Sequence, residues 1–239
     1  MPDTTSFQKG LSEWNMTLSD KQTEQFLIYY ERLIEKNKVM NLTAITEYEE
    51  VIHKHFLDSI SLVLAPVFEG KGNLIDVGTG AGFPGIPLKI AFPELKVVLL
   101  DSLNKRVNFL NEVIEELGLT GIEAVHGRAE DAGRNPEYRE KFDFCVSRAV
   151  ANLATLSEYT MPFVKPGGYF IPYKSGKAEE EIKESGNAVK LLSGKIEDTV
   201  SFTIPDTDME RTLILIQKTA PIHKKYPRKA GTPQKEPLK

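Results

Sequence analysis

Leu74-Ile-Asp76-Val-Gly78-Thr-Gly80-Ala-Gly82-Phe83-Pro84-Gly85 is the stretch on which the reading of this chain turns. Four residues suited to a short buried strand run into a turn with glycine at alternate positions. Gly85 then opens an apolar run to Phe92 that reads as a helix. Glycine at such positions permits positive φ and close approach of the backbone to a ligand. A turn placed where strand passes to helix aims the free N–H groups of the first helical turn at whatever binds. Pro84 and Pro87 fall in that turn, where a missing N–H costs little.

Outward from the turn, strand and helix patterns alternate. Val97–Leu100, Ile122–His126, Phe142–Val146 and Tyr169–Tyr173 read as strands, with helical patterns over Asn104–Leu117, Asn152–Phe163 and Ala178–Leu191 between or after them. Two further extended segments, Ile196–Ile204 and Arg211–Gln217, have no helix between them and read as an antiparallel hairpin. The expected fold is α/β: a mostly parallel seven-stranded sheet covered on both faces, with an antiparallel final strand. Upstream, Ser19 or Asp20 caps a helix with Phe26, Leu27, Tyr30, Leu33 and Ile34 on its apolar face, and a second helical pattern runs from Glu47 to Leu64. Residues 41–46 read as the loop between them. The expected division is a helical extension over 1–70, the α/β domain over 71–218 and a basic, proline-rich tail over 219–239.

Composition narrows the setting. The 239 residues carry a net charge of −4, so the molecule as a whole is not a basic nucleic-acid coat. Cys145 is the single cysteine, which rules out an internal disulfide and a cysteine-rich zinc site. It sits inside an apolar run and reads as core. The N-terminus has no basic region leading into an apolar run, no apolar stretch nears the ~20 residues of a membrane span, and no His/Asp/Glu cluster argues for a metal. A cytoplasmic, monomeric protein without a metal is the expectation.

Two cofactor classes fit the glycines, since Gly80, Gly82 and Gly85 also satisfy G-x-G-x-x-G. Asp76 separates them. Its carboxylate would repel a dinucleotide pyrophosphate but can accept from the ammonium of S-adenosyl-L-methionine. Asp101, ending the next strand, is placed to hold ribose hydroxyls in either case. After the third strand, Ala129 and Glu130 are candidates for the adenine. Phe83 reads equally as an apolar wall of the pocket or as core. Arg148, at the end of the fourth strand, could contact the cofactor, orient an acceptor base or sit in a salt bridge. The fourth strand carries no Asn/Asp-Pro-Pro-aromatic stretch for an exocyclic amine, and no cysteine placed as a nucleophile. A ring nitrogen such as guanine N7 needs neither, because its lone pair is exposed and positioning does most of the work.

These motifs, taken together, resemble the bacterial small-subunit rRNA methyltransferase G family, also called glucose-inhibited division protein B. The resemblance runs through Asn41-Leu-Thr-Ala-Ile, His55-Phe-Leu-Asp58-Ser59, the Asp76–Leu88 turn with its Phe83-Pro-Gly-Ile-Pro extension, Asp101-Ser-Leu-Asn-Lys105-Arg106, Gly127-Arg128-Ala129-Glu130, Ser147-Arg148-Ala149 and the stretch from Tyr226 to Leu238. It implies the Rossmann-like fold of class I S-adenosylmethionine methyltransferases. It also implies N7-methylation of one guanine in 16S rRNA, guanine 527 near the decoding site, and a link to streptomycin sensitivity. Cofactor contacts are implied at Gly78, Phe83, Ala129, Glu130 and Arg148. A methyltransferase for another RNA, a protein or a small molecule is the alternative.

The partner expected on this reading is 16S rRNA or the small ribosomal subunit. From Lys218 to Lys239 the chain carries seven Lys/Arg residues against Glu236 alone, and its prolines and Gly231 argue for an extended course. Lys224, Lys225, Arg228 and Lys229 could then track phosphates with salt-dependent affinity. His53 and Lys174, with Lys54 and His55, are further candidates for a basic RNA-facing surface.

Overall fold

The computed structural model describes residues 3–148, 151–175 and 178–239. Ala149 and Val150, read above as following Arg148, lie outside them. Seven strands form one sheet: β1 (Gly72–Val77), β2 (Leu95–Asp101), β3 (Ile122–His126), β4 (Phe142–Arg148), β5 (Val164–Ser175), β6 (Gly194–Thr203) and β7 (Glu210–Lys218). Their order is β3-β2-β1-β4-β5-β7-β6. Pairing is parallel from β3 across to β5, and β7 runs antiparallel to both β5 and β6. The expected architecture therefore holds. Leu74 to Val77 are buried without alternation, as befits a central strand covered on both faces. The chain leaves β1 towards β2 and returns from β3 to β4, so the sheet reverses direction of winding between β1 and β4. A crevice opens above the carboxyl ends of strands at such a reversal.

The N-terminal helices press on the turn that follows β1. The Asp20–Met40 helix begins with a capping box: Ser19 Oγ accepts from Gln22 N at 3.3 Å and Gln22 Oε1 accepts from Ser19 N at 2.9 Å. Such a cap contributes about 1 kcal/mol. Its buried face is Gln25, Phe26, Tyr29 and Leu33. Leu27, Tyr30 and Ile34, expected on that face, are only half-buried. The face is rotated because Tyr29 is drawn inward: its hydroxyl donates to the Ala81 carbonyl at 2.6 Å, and a buried phenol needs such a partner. A helix over Thr5–Glu13, not anticipated, adds Phe7 and Leu11 to the same core.

The second helical pattern is one rod with a change of winding. Tyr48–Val51 is α-helical, Ile52–Leu57 is a π-helix, and Asp58–Ile60 and the 3-10 turn Ser61–Leu64 complete it. Wider turns of this kind occur mostly as local insertions near functional sites. Phe56 points into the cluster of Phe7, Phe26, Tyr29 and Phe83. Burial of a ring this completely stabilises by about 2–3 kcal/mol.

The C-terminal segment departs from the expectation of an extended tail. Ile222 and Tyr226 are buried on the face of the sheet that holds Ile75 and Val77, in one cluster with Leu156 of the helix Leu153–Thr160. Thr232–Lys235 forms a helical turn, with Pro233 in a first-turn position that spares it the loss of a hydrogen bond. Lys218, counted above with the basic tail, is fully buried. Its ammonium donates to the carbonyls of Met161 and Val164 and pairs with Glu140, and burial lowers its pKa to about 8. Among the described residues, no helix is long and apolar enough to cross a membrane.

Candidate active site

The four glycines of the turn serve two ends. Gly78, Gly80 and Gly82 have φ of +75°, +64° and +105°, a region costly for other residues. A Cβ at Gly80 would meet nothing within 4 Å, so the backbone there faces open space. A Cβ at Gly82 would lie 2.7 Å from the Tyr29 hydroxyl, and one at Gly85 would collide with Leu99. Gly80 therefore bares a surface, and Gly82 and Gly85 let the turn pack.

Asp76 lies behind this turn rather than in front of it. Its Oδ2 accepts from Thr79 Oγ1 at 2.6 Å and from Gly85 N at 2.9 Å. Its Oδ1 has no partner among the described residues. Burial pushes its pKa up to about 6, against the pull of those two bonds. The amides expected to face a ligand are thus engaged internally: Gly85 N on Asp76, and Ile86 N on the Gly82 carbonyl at 2.8 Å. In geometric terms Asp76 ties the turn to the helix start.

Three cavities run side by side over the carboxyl ends of the strands. The first, about 420 Å³, is lined by Val77, Gly78, Leu100, Ser102 and the stretch Gly127–Glu130, and by Gly231 and Gln234 of the C-terminal segment. The second, about 410 Å³, shares Gly78 and Ser102 with it and adds Thr43, Gly80, Phe83, Asp101 and Arg148. The third, about 510 Å³, shares His55 and Arg148 with the second and adds Lys54, Asp58, Tyr173, Lys174, Glu181 and Arg211. Gly78, Gly80, Phe83, Asp101, Ala129, Glu130 and Arg148, all singled out from sequence, come together along this path. Asp76 lines none of the three.

The middle of the path is rigid. Asp101 Oδ2 accepts from Gly80 N and Oδ1 from Leu103 N, both at 2.9 Å, which locks the tip of β2 to the glycine turn. His55 lies flat on Phe83, ring centroids 4.4 Å apart and 16° from parallel. Arg148 donates to His55 Nδ1 at 3.2 Å, to the Lys54 carbonyl at 3.1 Å and to Asp58 Oδ2 at 2.8 Å, with its guanidinium 5.2 Å from the Phe83 ring centre. A guanidinium can only donate, so His55 Nδ1 is the bare nitrogen and Nε2–H donates to Thr43 Oγ1 at 2.8 Å. Burial, then the charge of Arg148, lowers the His55 pKa to about 3 and keeps the imidazole neutral. Asp58, almost fully buried, also accepts from Arg211 Nε at 3.0 Å. Phe83 and Arg148, left open between alternatives above, are thus at once structural and site-lining.

The expected basic surface separates into different fates. His55 is buried within the site, and His53 is half-buried at 3.1 Å from Ser6 Oγ, away from the three cavities. Neither imidazole is exposed to solvent, as an RNA-facing surface would require. Lys174 lines the third cavity while its ammonium pairs with Glu181 at 2.8 Å. Arg228 is committed to the fully buried Glu158, with NH2 to Oε2 at 2.6 Å. Lys224, Lys225 and Lys229 are exposed. Sequence reasoning passed over Thr43, Asp58, Gln234 and Arg211 as members of the site. A detectable signal existed for Asp58 alone: an acid on the apolar face of a buried helix. Among the described residues, no group of three or more His, Cys, Asp or Glu is placed to hold a metal. Cys145 is buried in β4 and its thiol pKa is raised by that burial, so the structure agrees with a core role.

The sheet order, the reversal between β1 and β4 and the glycine turn define the class I S-adenosylmethionine methyltransferase fold. Solved structures with that fold include M. jannaschii TYW2 in complex with AdoMet, at a TM-score of 0.53 and 16% identity over 68% of this chain and 77% of that one. A SAM dependent methyltransferase from Aquifex aeolicus matches at a TM-score of 0.53 and 20% identity over 77% and 98%. Residues 22–213 match the family model for rRNA small subunit methyltransferase G. Ribosomal RNA small subunit methyltransferase G of Lachnoclostridium phytofermentans is 59% identical over 100% of this chain and 98% of its own, and that of Alkaliphilus metalliredigens 52% identical over 96% of each. The chain belongs to the rRNA small subunit methyltransferase G family.

Proposed function

We propose that this protein transfers the methyl group of S-adenosyl-L-methionine to N7 of a single guanine in 16S rRNA, guanine 527, in the small ribosomal subunit or its precursor. The residues present fit the cofactor. Gly78 and Gly80 give it a bare backbone floor, Val77, Leu100 and Ala129 an apolar lining, and Glu130 a carboxylate at the adenine end. Asp101 borders the middle, and Phe83 with Arg148 the end nearest the third cavity. When bound, the sulfonium supplies an electrophilic methyl; the protein's part is to hold donor and acceptor in line.

The observation that carries the N7 reading is the state of the acceptors around the third cavity. Asp58 is engaged by Arg148 and Arg211, Glu181 by Lys174 and the Leu153 amide, and His55 by Arg148 and Thr43. Asp58 and His55 are committed by these bonds, while both bonds to Glu181 fall on Oε1. A ring nitrogen with an exposed lone pair needs no base to remove a proton before attack, which suits a lining whose described acceptors are mostly tied in this way. Lys54, Arg148, Lys174 and Arg211 outnumber Asp58 and Glu181 in that lining, which suits a phosphate-bearing substrate. On the same reading the enzyme acts in the cytoplasm as a monomer and is linked to streptomycin sensitivity. The test is transfer of labelled methyl from the cofactor to undermethylated small-subunit particles, followed by mapping of the modified base. Label confined to N7 of that guanine is expected. Label elsewhere, or none, overturns the proposal.

A further inference from the structure

The C-terminal segment is held to the body by more contacts than a solvated tail needs. Arg139 donates to the carbonyls of Tyr226 at 2.8 Å and Ile222 at 3.2 Å, and Arg134 to that of Pro227 at 2.5 Å. Arg228 forms a two-point pair with Glu158, Nε and NH2 to the carboxylate, while its backbone N–H takes Oε1 at 2.7 Å. Glu158 is fully buried, where a carboxylate without such a partner would be costly, so this pair ties the segment to the body. Thr155 Oγ1 donates to the Pro233 carbonyl at 3.2 Å. These anchors bring the chain to the mouth of the first cavity. There Gly231, in the left-handed region at φ +83°, donates its N–H to Glu130 Oε1 at 2.9 Å. Gln234 lines the same cavity from the exposed side. Glu130 Oε2 has no partner among the described residues.

We propose that the segment around Gly231 and Gln234 is the outer wall of the adenine subsite, with Gln234 contacting the purine edge and Gly231 positioning Glu130 for the same ring. This rests on the first cavity taking the nucleoside of S-adenosylmethionine. The chemistry matches: adenine offers an amino donor beside a ring-nitrogen acceptor, and a carboxamide supplies one acceptor and two donors. A carboxylate with one oxygen tied by Gly231 leaves the other to accept from the amino group. Hypoxanthine inverts that edge, presenting a carbonyl beside an N–H, and a carboxylate opposes the carbonyl. The C-terminal segment thus acts in reading the cofactor's base, apart from any part in RNA binding.

The experiment compares S-adenosylhomocysteine with S-inosylhomocysteine by calorimetry on the full chain. In the unaltered protein the adenine compound is expected to bind at least tenfold more tightly. Gln234→Ala, at an exposed position that should not disturb folding, is expected to weaken the adenine compound about fivefold and the inosine compound less than twofold. Equal weakening of both, or of neither, overturns the inference while leaving the cofactor reading intact. Absence of binding in the unaltered protein overturns both. As a second measurement, saturating S-adenosylhomocysteine is expected to slow tryptic cleavage after Lys229 and Lys235 several-fold, with exposed Lys71 as the control site. An unchanged ratio between these sites also counts against the inference.

Discussion

The two ends of the site are made of different materials. At the Gly78 end the cavity is shaped by backbone: glycines with positive φ, a strand tip locked by Asp101, and apolar side chains from adjacent strands. At the Arg148 end it is shaped by charged side chains fixed in pairs, with Asp58 between two arginines and a neutral imidazole stacked on Phe83. A backbone surface tolerates no added atom where the ligand lies close. A paired-charge surface tolerates no lost partner. The same size of substitution should therefore damage the first end by filling it and the second by unpairing it.

The largest effect is expected at the backbone end. Gly78→Val puts a β-branched residue at φ +75° on the shared border of the first two cavities. Loss of S-adenosylhomocysteine binding by at least about a hundredfold is the expected calorimetric result. Affinity within threefold of the unaltered protein would break the comparison, because the turn would then not be the surface the ligand lies on. At the other end, Asp58→Ala leaves Arg148 and Arg211 without their shared carboxylate. Removing one member of a buried pair costs about 3–5 kcal/mol. That should lower the denaturant midpoint of Asp58→Ala clearly, while cofactor affinity in the folded fraction falls far less than in Gly78→Val. A stable Asp58→Ala protein would show that the pairing is dispensable.

The difference between the ends also explains what could be read without a structure. The glycine turn, the strand and helix alternation and the placement of Asp101 and Ala129–Glu130 follow from local spacing, because strand order and the reversal between β1 and β4 are set by short connections. Asp76 shows the limit of that approach. Its position in the pattern was plain, but whether its carboxylate faces the ligand or the helix start depends on side-chain direction, and it faces Gly85 and Thr79. The Arg148 end joins residues 90 positions apart for Asp58–Arg148 and 153 apart for Asp58–Arg211. No periodicity encodes such pairs. The C-terminal segment was misread for the same reason: its basic composition was visible, and the buried Glu158 that fixes Arg228 was not.

Acid sharpens the contrast, since His55 at one end and Asp76 behind the turn at the other are shifted so that they change stability with opposite sign. His55 keeps a pKa of about 3 in the fold against 6.5 free, so the unfolded chain binds the extra proton between those values. Its contribution to stability is complete above about pH 6.5 and is lost as pH falls towards 3. Asp76 rises to about 6 against 3.8, so the folded state holds the extra proton. Stability from that group increases as pH falls from about 6 to 3.8. At about 1.4 kcal/mol per pH unit of displacement the upper bounds are about 5 kcal/mol for His55 and about 3 kcal/mol for Asp76. Urea unfolding at pH 7 and 4.5 separates them. His55→Asn should lose less stability than the unaltered protein on acidification, and Asp76→Asn should lose more. Identical pH slopes for all three proteins would mean that neither group titrates in its buried setting.

The smallest effect concerns three of the five exposed lysines that remain once Arg228 and Lys218 are assigned to the interior. Lys224→Gln, Lys225→Gln and Lys229→Gln together remove charge from the outer side of the C-terminal segment without touching Glu130 or Glu158. If these lysines meet rRNA phosphates, affinity for small-subunit particles should fall several-fold at low salt. The slope of log affinity against log salt should also flatten by about two. S-adenosylhomocysteine affinity should stay within twofold, because the anchors of the segment are intact. An unchanged salt slope would confine the segment to the cofactor end of the site and leave phosphate binding to the lysines and arginines of the third cavity. A matching loss of cofactor affinity would instead show that the outer lysines help to hold the segment in place, which their exposed positions argue against.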